Sequence, residues 1–493
     1  MSTLDLRLHS KQMRAFLSKA TEILYGGAAG SAKSHLMRVA AIAWCSLIPG
    51  LQVYLFRRIR EDLVKNHMEG PTGFRQMLAN TGIEIVDDEI RFPNGSKIYL
   101  CHCKDEKDRF KYQGSEIHVL MIDELTHFTE VIYRFLRSRV RMPESMIIPE
   151  EYKGCFPRIF CGTNPGGIGH QFVKMTWIDP KPAMEIWQTA DDEGGFLRQY
   201  IPARLSDNPS INQQAYRANL SGLGNPELVK AMLEGDWDVV AGAALDIDRE
   251  RHMLRAFTPP KHWTRFQVLD WGFVRPYSSG WYCVVEGITK LAAKGNWDDV
   301  WLPDGAVIRY RELYGWTGKP NEGLREESPI VAQKILDLED AAGERMDYRI
   351  ADTGIWAKND GTSIKERMYK SSAGRYNPRQ SEKDRMASYA EVCTRLKGEE
   401  NEDGSFTPMF YVTENCPQFW RTVPPLILDE VHPEKGPDEK QENHIWDELC
   451  YALVSRPYIR TEDQRIVSNF KRLRRENNLD KVDPYRMKKP RRK

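Results

Sequence analysis

Residues 24–34 read LYGGAAGSAKS, and this stretch decides the fold of the first half of the chain. An apolar run gives way to small residues, then to Lys33 and Ser34, and then to the amphipathic run 35–44, which predicts a strand, a tight loop and a helix. Backbone N–H groups of such a loop, together with the positive end of the helix, can surround a polyphosphate. Lys33 would then reach the β- and γ-phosphates, and the Ser34 hydroxyl would ligate Mg²⁺.

The loop departs from the usual phosphate-loop pattern at one position. The pattern G-x-x-x-x-G-K-S/T places its first glycine at Gly27, with Gly30 inside the loop, but the second glycine is replaced by Ala32. The peptide at Ala32 therefore lacks the freedom that glycine has at positive φ. The alternative interpretation is an ordinary Gly/Ala turn between a strand and a helix.

A second predicted strand ends in two carboxylates. Residues 117–124, IHVLMIDE, hold four consecutive apolar residues just before Asp123 and Glu124, which is typical of a strand buried on both faces. Asp123 would hold Mg²⁺ directly or through water, and Glu124 would orient or deprotonate the water that attacks the γ-phosphate. A third strand, in PRIFCGTNPGG, brings Thr163 and Asn164 to the same sheet edge, where ligands of open α/β sheets gather. An ordinary turn is the alternative for this pair.

Carboxylates in the second half of the chain follow the order of an RNase H-like nuclease. Asp270 lies in the strand pattern FQVLDWGF, Asp352 ends MDYRIAD, and Asp447 and Glu448 lie in the predicted helix HIWDELCYALVS. Two divalent cations held about 4 Å apart by such carboxylates can activate water and stabilise the leaving 3′-oxygen. Hard oxygen ligands suit Mg²⁺ or Mn²⁺. A helical wheel does not decide whether Asp447 or Glu448 faces the metals, and any single strand-terminal Asp is also explained by a turn.

Length alone suggests about three units, and two large ones are as likely. The chain has 493 residues, of which 41% are hydrophobic, and the small residues at 241–244 suggest a boundary. Residues 461–493 carry twelve Lys/Arg and five Asp/Glu, which predicts a basic, disordered tail. No apolar run approaches the roughly 20 residues of a membrane span, and no secretory signal is recognisable. We therefore expect a soluble, intracellular protein.

The combination resembles the large terminase subunit of tailed bacteriophages, over nearly everything from Gln12 to about Pro457. GGAAGSAKS looks like the Walker A loop of that family, VLMIDE like its Walker B motif, and CGTNPGG like its coupling motif. Gln12 falls where the family has an adenine-contacting glutamine, and three acids fall on its nuclease acids. The resemblance thus implies these site residues: Gln12, Gly27, Gly30, Lys33, Ser34, Asp123, Glu124, Thr163, Asn164, Asp270, Asp352 and Asp447.

The resemblance also implies an architecture and a function. The fold would be α/β: a P-loop ATPase domain over 1–243, with a mostly parallel sheet flanked by helices and with linker helices at about 205–243, then an RNase H-like nuclease domain over 244–460. The chain would be an ATP-driven motor that packages double-stranded DNA into proheads and cuts concatemers, using ATP and Mg²⁺, with Mn²⁺ supporting the nuclease. Its partners would be a small terminase subunit, the portal protein and further copies in a ring of five, in the host cytoplasm and transiently on the prohead.

Two questions stay open at this level. The charge-neutralising arginine of the family is not fixed, because the residue before Gly114 is Gln113. Arg109, Arg139 or Arg58 could serve, in cis or from a neighbouring subunit. The rival functions are a P-loop helicase or repair nuclease acting on cellular DNA, and a nucleotide-gated DNA-binding scaffold with an inactive nuclease.

Overall fold

The computed structural model describes residues 6–221, 229, 232–237, 243–291, 299–359, 361–382, 384–401, 404–429 and 431–456. The predicted tail at 461–493 lies outside them. The chain divides into two compact units, Met1–Ala243 with Pro425–Ile427, and Ala244–Pro424 with Leu428–Lys493. The stretch 425–427 counts with the first unit, where Ile427 pairs with Ala243.

The first unit is built on a nine-stranded sheet. Its strand order is β3-β4-β5-β2-β6-β7-β1-β9-β8, and the six strands from β5 to β9 in that order are parallel, with antiparallel strands added at both edges. The strands are β1 (Glu22–Gly27), β2 (Gln52–Arg57), β3 (Glu84–Val86), β4 (Glu89–Arg91), β5 (Lys97–His102), β6 (Val119–Asp123), β7 (Arg158–Thr163), β8 (Ile186–Gln188) and β9 (Leu197–Ala203).

Helices flank this sheet. Every residue of β1, β6 and β7 is buried, as the apolar runs in their sequences predict. The prediction of a mostly parallel sheet flanked by helices is confirmed. The helices are α1 (Ser10–Phe16), α2 (Lys33–Leu47), α3 (Arg60–Leu63), α4 (Phe74–Met77), α5 (Glu130–Arg137), α6 (His170–Val173) and α7 (Gln213–Ser221).

One part of the first unit differs from the sequence-based interpretation. The polar region from 174 to 246 reads as helical, yet it contains β8 and β9. β9 pairs with β1, and its Arg198 donates a 2.7 Å hydrogen bond to the buried carboxylate of Glu22. Arg198 thus belongs to a buried ion pair and does not face solvent. The polar composition of this stretch therefore led to a wrong prediction of helix. Of the expected linker helices, the described residues show α7 and a helical segment at 232–234.

The second unit is built on a mixed seven-stranded sheet of order β10-β22-β15-β12-β11-β16-β19. β11, β12 and β15 are antiparallel neighbours, and β16 and β19 continue parallel to β11. The strands are β10 (Met253–Leu254), β11 (Arg265–Asp270), β12 (Ser278–Val284), β13 (Thr289–Leu291), β14 (Val300–Leu302), β15 (Val307–Tyr314), β16 (Tyr348–Ala351), β17 (Lys358–Asn359), β18 (Thr362–Ser363), β19 (Arg379–Gln380), β20 (Glu399–Glu400), β21 (Phe406–Thr407) and β22 (Phe410–Thr413).

The five strands β15-β12-β11-β16-β19 have the order and directions of an RNase H-like fold, so this prediction is also confirmed. The last described helix of the unit packs against β11 and β12. Within the described part of the chain, no helix combines the length and hydrophobicity needed to cross a bilayer. The helices of the second unit are α8 (Arg249–His252), α9 (Ser328–Ala342), α10 (Ile364–Ser371), α11 (Arg385–Lys397), α12 (Pro417–Thr422) and α13 (His444–Val454).

Candidate functional site

The loop between β1 and α2, which the sequence predicts to bind phosphate, contains residues with positive φ. Gly27 ends β1, and Gly30 has φ of +73°, with space so limited that a Cβ would lie 2.9 Å from a Leu205 methyl group. Ala32 adopts the left-handed conformation, with φ 58° and ψ 38°, directly before the first residue of α2. The alanine therefore takes the conformation that the usual glycine would supply, at a cost of roughly 1–2 kcal/mol.

Lys33 connects this loop to the end of β7. Its side chain is buried, and its Nζ donates hydrogen bonds to Oδ1 of Asn164 at 2.5 Å and to the carbonyl oxygen of Ala28 at 3.2 Å. Burial lowers the pKa of Lys33, although the charges of Glu124 and Asp123 oppose that effect. The loop lysine and the polar residue after β7, predicted as separate candidates, thus lie in direct contact.

Asp123, at the end of β6, is the acceptor at the centre of this site. Its Oδ2 accepts hydrogen bonds from Ser34 Oγ at 3.0 Å and His67 Nε2 at 2.9 Å, and it lies 3.5 Å from Arg57 Nε. Burial opposes ionisation of Asp123, but the hydrogen bond from His67 and the charges of Arg57 and Lys33 outweigh it, and they hold its pKa well below the usual range. The carboxylate is therefore ionised at neutral pH.

The donor set at this position fits a hard divalent cation. The Ser34 hydroxyl and the Asp123 carboxylate are adjacent oxygen ligands of the kind that Mg²⁺ takes in nucleotide sites. Asp123 Oδ1 is buried and has no hydrogen-bond partner among the described residues. A buried carboxylate oxygen without a donor is costly unless it has a partner, and a metal ion or its water would supply one.

Glu124 and Thr163 occupy different surroundings. Glu124 has φ of +58°, a strained conformation for a non-glycine residue, and its Oε1 lies 3.8 Å from Arg57 Nη2. Thr163 is fully buried, and its Oγ1 accepts from the backbone N–H of Thr126 at 3.1 Å. Thr163 thus ties the end of β7 to the loop after β6, and it does not share the contact of Asn164 with Lys33.

Gln12 in α1 contacts the phosphate loop itself. Its side chain is buried, its Nε2 donates to the carbonyl oxygen of Ala32 at 2.9 Å, and its Oε1 accepts from the backbone N–H of His9 at 2.8 Å. Both ends of the amide are thereby bonded to the protein. The contact of Gln12 with adenine stays a prediction.

The arginines singled out from the sequence lie elsewhere. The Arg109 and Arg139 guanidinium groups pack on the Phe135 ring, at 5.9 and 5.2 Å from its centroid, and Arg58 donates to the carbonyl oxygen of Lys104. Arg57, the residue before Arg58, is the one that lies beside both Asp123 and Glu124. Its position at the end of β2, next to β6 in a parallel sheet, is a signal that strand-end reasoning could have used.

In the second unit, the predicted acids come from neighbouring elements. Asp270 ends β11, and Asp352 directly follows β16, with the Asp352 N–H bonded to the carbonyl oxygen of Leu269. Asp447, on α13, is half-buried, and its burial and the charge of Asp270 raise its pKa to about 7. Burial and then the charges of Asp270, Asp447 and Asp352 raise the pKa of Tyr451. The three acids therefore act electrostatically on one side chain.

A cleft of about 390 Å³ opens at Asp447. Two arginines, Arg275 and Arg385, line it together with acidic residues, so both signs of charge meet there. Among the described residues, no three His, Cys, Asp or Glu side chains are already arranged as a metal site. The repulsion from Asp270, which adds to the effect of burial on the pKa of Asp447, is nevertheless what a divalent cation between the carboxylates would relieve.

The structure separates the two acids that the helical wheel left open. Glu448 is fully buried and accepts hydrogen bonds from Ser278 Oγ at 2.7 Å, Tyr282 OH at 2.6 Å and Arg309 Nη2 at 2.8 Å. A Cβ at Gly280 would lie only 2.0 Å from Glu448 Oε1, so glycine is required beside it. Glu448 thus belongs to the interior ion pair, whereas Asp447 lines the cleft.

Solved structures of phage large terminases resemble this chain. The large terminase from a thermophilic bacteriophage is 16% identical, with 91% of this chain and 99% of that chain covered at a TM-score of 0.38. The HK97 bacteriophage large terminase is 10% identical, with coverages of 91% and 95% and the same score. The Thermus phage large terminase ATPase domain is 12% identical, with coverages of 47% and 94% and a TM-score of 0.32.

No protein-family model matches the sequence, and a comparison with curated proteins gives no match. At the identities and scores of the solved structures, the likeness assigns no residue and no activity to this chain. The function of this chain must therefore be inferred from its own side chains.

Proposed function

We propose that this chain is a viral genome-packaging motor, in which ATP hydrolysis drives double-stranded DNA into a prohead and a two-metal endonuclease cuts the concatemer. The observation that carries the proposal is the convergence of Lys33, Ser34, Asp123 and Asn164 at one edge of a parallel sheet. A second, chemically separate group of acids on an RNase H-like sheet supports the nuclease half. Neither site depends on the other for its chemistry.

In the first site, the chain's own groups would bind and orient the nucleotide. Backbone N–H groups of the loop and Lys33 would hold the phosphates, and Ser34 and Asp123 would hold Mg²⁺, which supplies charge neutralisation at the β- and γ-phosphates. Glu124 would orient the attacking water and accept its proton. Nucleotide binding would release Lys33 from Asn164. The contacts at the end of β7 would then change with the occupancy of the site.

Charge neutralisation during hydrolysis needs a guanidinium group near the γ-phosphate. The 3.8 Å separation of Arg57 and Glu124 supports Arg57 as the residue that acts in cis. Arg109 and Arg139 stay candidates for action on a neighbouring copy in a ring.

In the second site, Asp270, Asp352 and Asp447 would hold the two cations that activate water and stabilise the leaving 3′-oxygen. Arg275 and Arg385 would contact DNA phosphates beside the cut. The partners that go with this function are double-stranded DNA, a small terminase subunit, the portal protein and a ring of five copies, in the host cytoplasm and transiently on the prohead.

The test is a double dissociation on the full chain. We expect Lys33→Ala to reduce ATP hydrolysis at least a hundredfold without changing Mn²⁺-dependent plasmid cleavage, because it removes the phosphate-binding amine alone. Asp352→Ala should abolish cleavage and leave hydrolysis intact, because it removes a metal ligand of the other unit. Steady-state phosphate release and gel electrophoresis of plasmid measure the two activities.

A charge-matched control for the lysine variant is Lys153→Ala. The Lys153 side chain is 71% exposed and pairs with Glu150 on the surface, so its loss should leave both activities unchanged.

Each other outcome points to a rival. Hydrolysis without cleavage by the wild type would favour the scaffold with an inactive nuclease. Unwinding of duplex DNA by the free chain, without a portal, would favour the helicase or repair nuclease.

A further inference from the structure

His67 is buried against the central carboxylate of the first unit. Its Nε2 lies 2.9 Å from Asp123 Oδ2, and both side chains are fully buried. The imidazole also stacks on Phe74, with ring centroids 6.4 Å apart. No motif in the sequence singles out His67, because it lies in a polar stretch far from the phosphate loop.

The backbone that carries His67 is unusual. Helix α3 continues into a π-helical turn, Val64–Met68, and such turns are rare and often occur at functional sites. Arg38 of α2 fixes this turn, since its Nη1 donates to the carbonyl oxygen of Asn66 at 2.7 Å and its Nη2 donates to Thr72 Oγ1 at 3.0 Å. The turn is therefore bonded to the helix that begins at the phosphate loop.

The hydrogen bond has a defined direction. An ionised carboxylate only accepts, so the Nε2–H of His67 donates to Asp123. This hydrogen bond restricts the orientation of the Asp123 carboxylate.

The two oxygens of Asp123 are used unequally. Ser34 and His67 donate hydrogen bonds to Oδ2, and Arg57 forms an ion pair with the same oxygen, whereas Oδ1 has no hydrogen-bond partner among the described residues. Rotation of the carboxylate would lose the 2.9 Å bond and leave a second buried nitrogen of His67 without a partner, since Nδ1 already has none within the described part of the chain. The ring thus selects one orientation.

We propose that His67 is a positioning residue for the Mg²⁺-nucleotide complex: its Nε2–H holds Asp123 Oδ2 so that Oδ1 is presented to the metal. The proposal rests on the nucleotide site proposed above. Partners of metal-binding carboxylates generally change metal affinity by about 10- to 100-fold when they are removed. His67 would act on the metal through Asp123 and would touch neither the nucleotide nor the attacking water.

The test measures binding and not only turnover. A fluorescent ATP analogue is titrated against the full chain in EDTA, and then Mg²⁺ is titrated at fixed nucleotide. For His67→Phe, which keeps a flat ring for Phe74 but lacks the donor, we expect at least a tenfold rise in the Mg²⁺ midpoint. The affinity in EDTA should stay within threefold of wild type, because the phosphate contacts are untouched.

Two further variants separate positioning from packing. His67→Gln returns an N–H donor and should bring the Mg²⁺ midpoint back to within about threefold of wild type. Phe74→Leu loosens the same pocket without removing the bond to Asp123, and it should leave the midpoint unchanged. If His67→Phe does not fold, as judged by circular dichroism, His67→Met replaces it as the variant without a donor.

Three results would overturn the proposal. They are an unchanged Mg²⁺ midpoint in a folded variant without a donor, an equal rise in Phe74→Leu, and a loss of affinity in EDTA as large as the loss with Mg²⁺. Failure of the proposed nucleotide site looks different, because the wild type itself would then show no Mg²⁺-dependent binding of the analogue.

Discussion

Asp123 in the first unit and Asp447 in the second are both proposed metal ligands, but their surroundings differ in charge. Asp123 lies among Arg57, Lys33 and the donor His67, which keep it ionised in spite of burial. Burial and then the charge of a second carboxylate, Asp270, raise the pKa of Asp447 to about 7, although Arg385 opposes the rise. The first carboxylate is stabilised before any metal arrives, whereas the second is destabilised until one does.

The two units thus differ in whether the protein's own cations or a bound metal ion would balance the charge of the carboxylate. A carboxylate held by protein cations keeps its geometry without a bound ligand, which suits the proposed motor, because a motor exchanges nucleotide repeatedly. A site in which carboxylates repel one another would require metal ions for charge balance, which suits the proposed nuclease, because its cutting must not be continuous.

The largest expected effect concerns the acid next to Asp447. We expect Glu448→Ala to destabilise α13 and the strands beneath it by about 3–5 kcal/mol, because the buried Arg309 would lose a carboxylate partner. Hydrogen-exchange mass spectrometry on the full chain should show lost protection in peptides covering α13. Glu439→Ala, with a side chain 73% exposed, is the matched control and should change little. Unchanged protection in Glu448→Ala would mean that the Arg309 pair does not support the helix.

Removal of the Asp447 charge should stabilise the protein, unlike removal of the Glu448 side chain. Its folded pKa of about 7 lies above the ordinary 3.8, so its ionisation destabilises the folded state progressively as pH rises from about 4 to 7. A rise of about 3 pKa units corresponds to about 4 kcal/mol, and solvent screening of this half-buried side chain reduces it to about half. We therefore expect Asp447→Asn to stabilise the metal-free protein by roughly 2 kcal/mol at pH 8 and not at pH 4. Cleavage should be lost in the same variant. Thermal unfolding in EDTA at both pH values measures the gain.

The control for that measurement is Glu434→Gln, because the Glu434 side chain is 47% exposed. An equal gain in Asp447→Asn at pH 4 and pH 8 would contradict the electrostatic explanation, because a packing effect does not follow the ionisation of one carboxylate. Addition of Mn²⁺ to the wild type at pH 8 should recover part of the same stability, since the cation removes the repulsion between Asp270 and Asp447.

Much of the first site could be predicted because its chemistry follows the chain locally. A phosphate loop is one continuous stretch, and the buried strand before Asp123 is recognisable from its own apolar run. The Asn94-Gly95 turn likewise predicts the hairpin that β4 and β5 form. Local signals of this kind survive folding because few distant residues can alter them.

The parts of the fold and of the candidate sites that the sequence did not predict depend on residues that come into contact only in the folded chain. Glu448 is buried because Gly280 on β12 leaves space and Arg309 on β15 supplies charge, and neither is visible from the sequence of α13. His67 reaches Asp123 through a π-helical turn that has no sequence signature. The helical interpretation of β9 failed for a similar reason, since its Arg198 is neutralised by Glu22 of another strand.

The smallest expected effect lies in the phosphate loop, where Ala32 holds the left-handed conformation without the help of glycine. We expect Ala32→Gly to stabilise the first unit by up to about 1 kcal/mol, because relief of the strain exceeds the added entropy of the unfolded chain. Ala40→Gly, in the interior of α2, is the control and should lose at least about 1 kcal/mol, because glycine there has no strain to relieve. Hydrogen exchange of peptides from α2 measures both. A loss of protection in Ala32→Gly would mean that the loop has relaxed around its alanine, and the contrast between a prearranged first site and a metal-dependent second site would then rest on Asp123 alone.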